Sequence, residues 1–294
     1  MRVSKLQVVR HLVQSAVLLL FLVIGLIGFL STLVLGEGIF FGSLSSSTAL
    51  GVIVLTDPYA FLGAIAASKA LPALALFVGA LTIVVVYALI RGRVFCGWVC
   101  PLGLFVELAN WIGDKTGLRK RTALARPLPR YSKIISAVAI LLLSAVIGIP
   151  VFELVSPVAA LPRLFVLGVA LGIWVFLAIV LLELFFPGRL WCNGLCPVGG
   201  LYEAVGSVGF VGIRNHRGCT RCNRCKEVCL ADDRILDEVI AGTKTAVSAG
   251  DCLICGKCVD VCPAGTLKWR FGPAFVQPAE KSLPARSRKP QGGR

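Results

Sequence analysis

Charge is scarce in this chain. Only 15% of its 294 residues are Asp, Glu, Lys or Arg, 57% are hydrophobic, and the mean hydropathy is +0.86. That balance excludes an ordinary soluble domain of this length. Acidic residues are scarcer than basic ones, 15 against 30, for a net charge of +15. Histidine is nearly missing: only His11 and His216 are present, and no Cys-x-x-Cys-His run occurs. Paired axial histidines for a membrane haem cannot be supplied, and c-type haem attachment is excluded. No Gly-rich phosphate loop, nicotinamide fingerprint or hydrolase triad is found. The basic start and its apolar run of about 24 residues lack an A-x-A-like cleavage site, so the run reads as retained.

Long apolar runs are what the chain has instead. A helix needs roughly 20 apolar residues to cross a hydrocarbon core of about 30 Å. Four uncharged windows meet that length: residues 12–35, 70–90, 134–152 and 164–182. The serine- and glycine-containing stretch 38–56 reads as an external loop. Loop 91–133 holds nine basic residues against two acidic ones, which four spans place, with both termini, on the cytoplasmic side. Basic residues then act as topological determinants and contacts for anionic membrane lipid, and nucleic acid is not an expected partner. The expected fold is membrane α-helical: a four-helix transmembrane bundle followed by a small α+β domain.

Twelve cysteines lie outside these windows. In a reducing compartment, metal ligation is a better reading than a disulfide framework. CTRCNRCKEVC at 219–229 and CLICGKCVDVCP at 252–263 each carry C-x2-C-x2-C-x3-C spacing, the pattern of bacterial two-cluster ferredoxins. Three cysteines of a tight loop hold one cubane and the fourth points at the other. The expected ligand sets are therefore Cys219, Cys222, Cys225 and Cys262 for one 4Fe-4S cluster, and Cys252, Cys255, Cys258 and Cys229 for the second. Zinc also takes C-x2-C pairs, but two complete runs of identical spacing suit cubanes better. Leu230 stands where a proline usually follows the fourth cysteine, whereas Pro263 is present.

A second pattern is duplicated. CGWVCPLGLFVELANWIG begins at Cys96 and CNGLCPVGGLYEAVGSVG at Cys192, each Cys, three residues, then Cys-Pro. The echo extends upstream, because Pro58 precedes Cys96 by 38 residues and Pro157 precedes Cys192 by 35. Each half reads as two spans ending in C-x3-C-P, so the bundle is a 2+2 parallel repeat. Cys96, Cys100, Cys192 and Cys196 are then expected to converge as a third iron–sulfur or other metal site, or as two redox dithiols; packing cysteines are the plainer alternative. The expected organisation is a membrane domain over 1–188 with the first motif at 96–101, and a connector over 189–212 with the second at 192–197. A two-cluster ferredoxin domain over 213–273 and a disordered basic tail over 274–294 follow.

Electrons cannot cross a membrane on metals held outside the spans, so a quinone or partner subunits must complete the path. Quinol oxidation needs a proton acceptor beside an apolar slot. Asp57 and Glu153, in comparable external loops, are the expected catalytic proton acceptors, with Glu183 at the end of the fourth window; interfacial solvation or capping is the alternative for all three.

RVFCGWVCPLGLFVELANWI, RLWCNGLCPVGGLYEAVG, ELVSPVAALPR and the two C-terminal cysteine runs together resemble the NapH/MauN family of ferredoxin-type membrane proteins. The resemblance implies a quinol dehydrogenase component in the bacterial cytoplasmic (inner) membrane, multi-pass, with its termini and clusters cytoplasmic. Such a subunit oxidises quinol and passes electrons to an iron–sulfur or cytochrome partner of a periplasmic reductase, nitrate reductase in the NapH case. The MauN branch is tied to amine oxidation and related proteins to copper handling, which keeps open an assembly or reactivation factor fed by cytoplasmic electrons. A membrane scaffold with structural clusters is a third reading.

Overall fold

The computed structural model describes residues 5–35, 46–49, 53–70, 74–117, 129, 131–157, 171–186, 189–206, 209–216, 219–247 and 250–272. The expected tail 274–294 lies outside them. Helix α1 (Lys5–Leu35) is followed by an antiparallel hairpin, β1 (Ser46–Ala49) and β2 (Ile53–Thr56), with Ser46 opposite Thr56. The loop expected over 38–56 thus contains two strands. The β-branched residues Ile53 and Val54 favour an extended backbone there.

Next come α2 (Pro58–Ser68), α3 (Leu74–Ile90), a π turn (Phe95–Val99) and α4 (Pro101–Thr116). The second half repeats the string with α5 (Ser132–Ile147), α6 (Val151–Val155), α7 (Leu171–Phe185), a π turn (Trp191–Leu195) and α8 (Pro197–Val205). Helix α4 packs on α7, and α5 packs on both α2 and α8. Tyr59, Ala137, Phe152, Val198 and Tyr202 form one buried core; Cys100, Leu102, Val106 and Ile179 form another.

The expected four-helix transmembrane bundle does not hold, because among the described residues no helix is long and apolar enough to cross a membrane. Within the described residues, the windows at 70–90, 134–152 and 164–182 contain helices of 17, 16 and 15 residues, and residues 71–73 and 164–170 lie outside that description. At a rise of about 1.5 Å per residue these reach roughly 22 to 26 Å, short of a core of about 30 Å. Local chemistry shortens α5, where Gly148 takes a left-handed cap at φ 76° and Pro150 follows. Helix α1 has 31 residues, and Gln7, Arg10 and Gln14 on its first turns are buried against protein groups, which anchors that end to the rest of the chain.

The C-terminal part is α+β. Strands β3 (Val211–Asn215) and β4 (Leu267–Phe271) pair antiparallel, Val211 opposite Phe271. Between them lie α9 (Arg224–Glu227), a 3-10 turn (Asp233–Leu236), α10 (Asp237–Ala241) and α11 (Lys257–Val261) around a core that includes Ile213, Leu236, Val239 and Val247.

Candidate functional site

The two C-terminal cysteine runs curl in the same way. Arg221 and Asn223 take left-handed backbone at φ 53° and 59°; Ile254 and Gly256, at the corresponding positions, do so at 51° and 75°. A left-handed isoleucine is strained, and its presence in a loop of spacing C-x2-C points to a turn imposed by what the cysteines must surround. One cavity is lined by Cys219, Cys222, Cys225 and Cys262, and a second by Cys229, Cys252, Cys255 and Cys258. The structure therefore brings together both crossed sets. Among the described residues no three His, Cys, Asp or Glu side chains converge on one point as a single ion requires. Four thiols instead border a space in each case, which fits a group of several atoms. The carbonyl of Leu230, which stands where a proline usually follows the fourth cysteine, accepts a hydrogen bond from Asn193 Nδ2 at 3.3 Å.

The duplicated C-x3-C-P stretches are not regular helix. In both, the second cysteine closes a π turn: Cys100 N donates to Phe95 O at 2.9 Å and Cys196 N to Trp191 O at 2.8 Å. Both cysteines are then extended, ψ 117° and 114°, and the following proline opens a helix at its first position, where no N–H is needed. π turns are rare and concentrate at functional sites. The four thiols of Cys96, Cys100, Cys192 and Cys196 are near enough to act on one another electrostatically. Burial pushes the Cys100 and Cys196 thiols up to about 12, with Cys96 adding to the effect. Burial also raises Cys96, against Arg93 and Lys133, and raises Cys192, against Arg189. As free thiols these groups stay neutral and unreactive near neutral pH, because the thiolate is the nucleophile. Four cysteines beside buried cations fit an anionic thiolate-ligated group.

Those cations were read from sequence as topological determinants in a basic loop, yet Arg91, Arg93 and Lys133 are 0 to 1% exposed. Arg93 and Lys133 both reach the Asp251 carboxylate, and Lys133 also pairs with Glu203 at 2.7 Å. In the other half, Glu107 collects Arg10 at 2.6 Å, Arg189 at 2.5 Å and Lys257 at 3.4 Å. Burial favours a neutral Glu107, but Arg189, Arg10 and Lys257 more than offset it and hold the carboxyl well below its usual range. A signal for these partners exists in the repeat: Arg93 and Arg189 each precede their first cysteine by three residues, and Glu107 and Glu203 each follow their proline by six.

The first turn also docks on the C-terminal module. A Cβ on Gly97 would lie 2.5 Å from Leu253 O, Trp98 Nε1 donates to Ile254 O at 3.0 Å, and Gln7 Nε2 donates to Cys255 O at 2.6 Å. The four-thiol site therefore abuts the loop carrying Cys252 and Cys255.

Asp57 and Glu153 were expected on the side away from the cysteines. Instead Asp57, the N-cap of α2, accepts a hydrogen bond from Tyr202 on α8 at 3.4 Å and from Tyr59 N at 3.4 Å. Tyr202 stacks near Tyr87 and Phe95, with centroids 5.2 and 5.6 Å away, and Cys96 and Cys196 pack on the same core. Burial, opposed by the Tyr59 amide and reinforced by Glu153, pushes the Asp57 carboxyl up to about 7. Glu183 is fully buried and accepts from Trp191 N at 2.9 Å, so it braces the second π turn. Tyr202 itself escaped the sequence reading, since an aromatic one turn into an apolar helix looks like core.

Paired four-cysteine cavities on an α+β module define a ferredoxin-type iron–sulfur electron-transfer protein. Comparison with known proteins agrees. A 4Fe-4S binding domain model matches residues 72–119 and again 167–214, one match per C-x3-C-P half, and a 4Fe-4S dicluster domain model matches 212–263. The chain is 35% identical to "Ferredoxin-type protein NapH" of Escherichia coli over 86% of this chain and 88% of that protein. It is 37% identical to NapH of Haemophilus influenzae over 82% of this chain and 84% of that one. It is 32% identical to "Methylamine utilization ferredoxin-type protein MauN" of Methylorubrum extorquens over 81% and 82%. The chain belongs to the NapH/MauN family of ferredoxin-type proteins. No solved structure matches it.

Proposed function

We propose that this protein works at a bacterial cytoplasmic membrane, with its clusters on the cytoplasmic side, as a quinol-oxidising electron-transfer component that hands electrons to a partner subunit of a periplasmic reductase. The observation that carries the reading is Asp57: a carboxylate hydrogen-bonded to Tyr202 within an aromatic core that also packs Cys96 and Cys196. Oxidation of a quinol releases two protons and two electrons, so it needs a proton acceptor beside an electron acceptor. Asp57 and Tyr202 take the proton role, and burial, with Glu153 adding to it, keeps Asp57 basic enough to serve near neutral pH.

Cys219, Cys222, Cys225 and Cys262 hold one cluster, and Cys229, Cys252, Cys255 and Cys258 another. Cys96, Cys100, Cys192 and Cys196 hold a third. When bound, these groups supply one-electron acceptors; the chain contributes their spacing, their buried cations and the exclusion of water. Lipid contact is supported by exposed apolar side chains on short helices, including Leu74 (76%), Val146 (84%) and Trp174 (69%).

The test is reduction of the cluster-loaded protein in membranes by a short-chain quinol, followed by visible and EPR spectroscopy. Reduction by quinol in the wild type, slowed strongly in Asp57→Asn while dithionite still reduces both, is the expected result. Reduction by soluble cytoplasmic donors but not by quinol would overturn it in favour of an assembly or reactivation factor.

A further inference from the structure

Arg93 spans two regions that the sequence holds far apart. Its Nη1 donates to the Asp251 carboxylate and, at 3.4 Å, to the Asp251 carbonyl; its Nη2 donates to Cys192 O at 2.7 Å. Asp251 directly precedes Cys252. One guanidinium therefore touches the peptide of a cysteine in the four-thiol site and the residue leading into the neighbouring cavity. Arg93, Asp251 and Lys133 are each about 1% exposed. The equivalent arginine of the second half, Arg189, goes to Glu107 instead, so the repeat is broken at this contact. A buried ion cluster contributes little net stability, and its best-attested use is to set register. The planar fork of arginine suits that use, since its donors are fixed relative to one another.

We propose that Arg93 is a positioning residue that links the four-thiol site to the Cys229, Cys252, Cys255 and Cys258 cavity. It fixes their separation through Asp251 and Cys192 and, by its buried positive charge, stabilises an electron held at the four-thiol site. The step is the departure of one electron from a reduced centre and its arrival at an oxidised one; no bond is made and no proton moves. A cation near a centre favours the more negative, reduced state. The inference rests on the proposed third cluster.

The experiment is an EPR-monitored redox titration of full-length, cluster-loaded wild type, Arg93→Gln and Arg93→Lys, with iron counted in each. The signal lost in Cys96→Ser identifies the four-thiol site. In Arg93→Gln that signal is expected to need a lower potential, with its reduction equilibrium weakened about tenfold or more, ~59 mV for one electron. Arg93→Lys keeps the charge but not the fork; it is expected to hold the midpoint while the magnetic interaction between the two neighbouring signals weakens. A third cluster whose midpoint is unchanged in Arg93→Gln would overturn the role of Arg93 alone. Wild-type iron sufficient for two clusters only would remove the third-cluster reading first. Loss of iron in both variants would make Arg93 a folding residue and overturn the proposal as well.

Discussion

Asp57→Asn separates a proton-accepting carboxylate from a structural one by two pH dependences. Burial, with Glu153 adding to it, pushes the folded carboxyl from its ordinary value of 3.8 up to about 7. Between those values the folded state keeps a proton that the unfolded chain has released, so stability falls as pH rises from about 4 to about 7 and is flat above. At about 1.36 kcal/mol per unit the full loss is about 4 kcal/mol, and partial contact with solvent brings it to about 2 to 4. The asparagine variant, neutral and close in shape, should lack this slope and be more stable than wild type above pH 7. Urea unfolding followed by tryptophan fluorescence from pH 4.5 to 8.5 measures it, and the difference between the two proteins cancels other titrating groups. Quinol-dependent reduction should run the other way: wild-type rates rise as Asp57 ionises through about pH 7, and the variant is slower by about 10² or more with no such inflection. Parallel stability curves for the two proteins, or an unaltered pH–rate profile in the variant, would refute the reasoning.

Three further outcomes follow from the site. Glu107→Gln leaves Arg10, Arg189 and Lys257 without their shared anion; breaking such a buried cluster costs about 3 to 5 kcal/mol, read as a lowered urea midpoint. Gly97→Ala drives a Cβ against the Leu253 carbonyl, 2.5 Å away. Because a backbone atom cannot rotate aside, the C-terminal module should loosen, with faster amide exchange over 251–262 and unchanged exchange in β3 and β4. Cys96→Ser combined with Cys192→Ser should lower the iron content by one cluster and leave the two C-terminal signals; unchanged iron would return these cysteines to a packing role.

Spacing within a few residues was the most legible part of the chain. Three cysteines separated by two residues each can surround a group only if the backbone curls, and the left-handed pairs Arg221 with Asn223 and Ile254 with Gly256 are that curl. The crossed sets followed from the same local geometry. Hydropathy was a poorer guide. It reports how apolar a window is, not how far its helix runs, and glycine and proline shorten α5 below the length of its window. Net charge misled in a similar way, since Arg91, Arg93 and Lys133 count as basic loop residues until packing encloses them.

By itself the sequence determined the ferredoxin-type module, the duplicated C-x3-C-P turns and the family, because covalent spacing and local backbone preference act over a handful of residues. Only the tertiary structure decided that Arg93 bridges Cys192 and Asp251 and that Asp57 meets Tyr202. Those partners are separated by 99 to 158 residues. Contacts at such range are chosen by how helices pack and which buried charges find an opposite, and no local pattern encodes that.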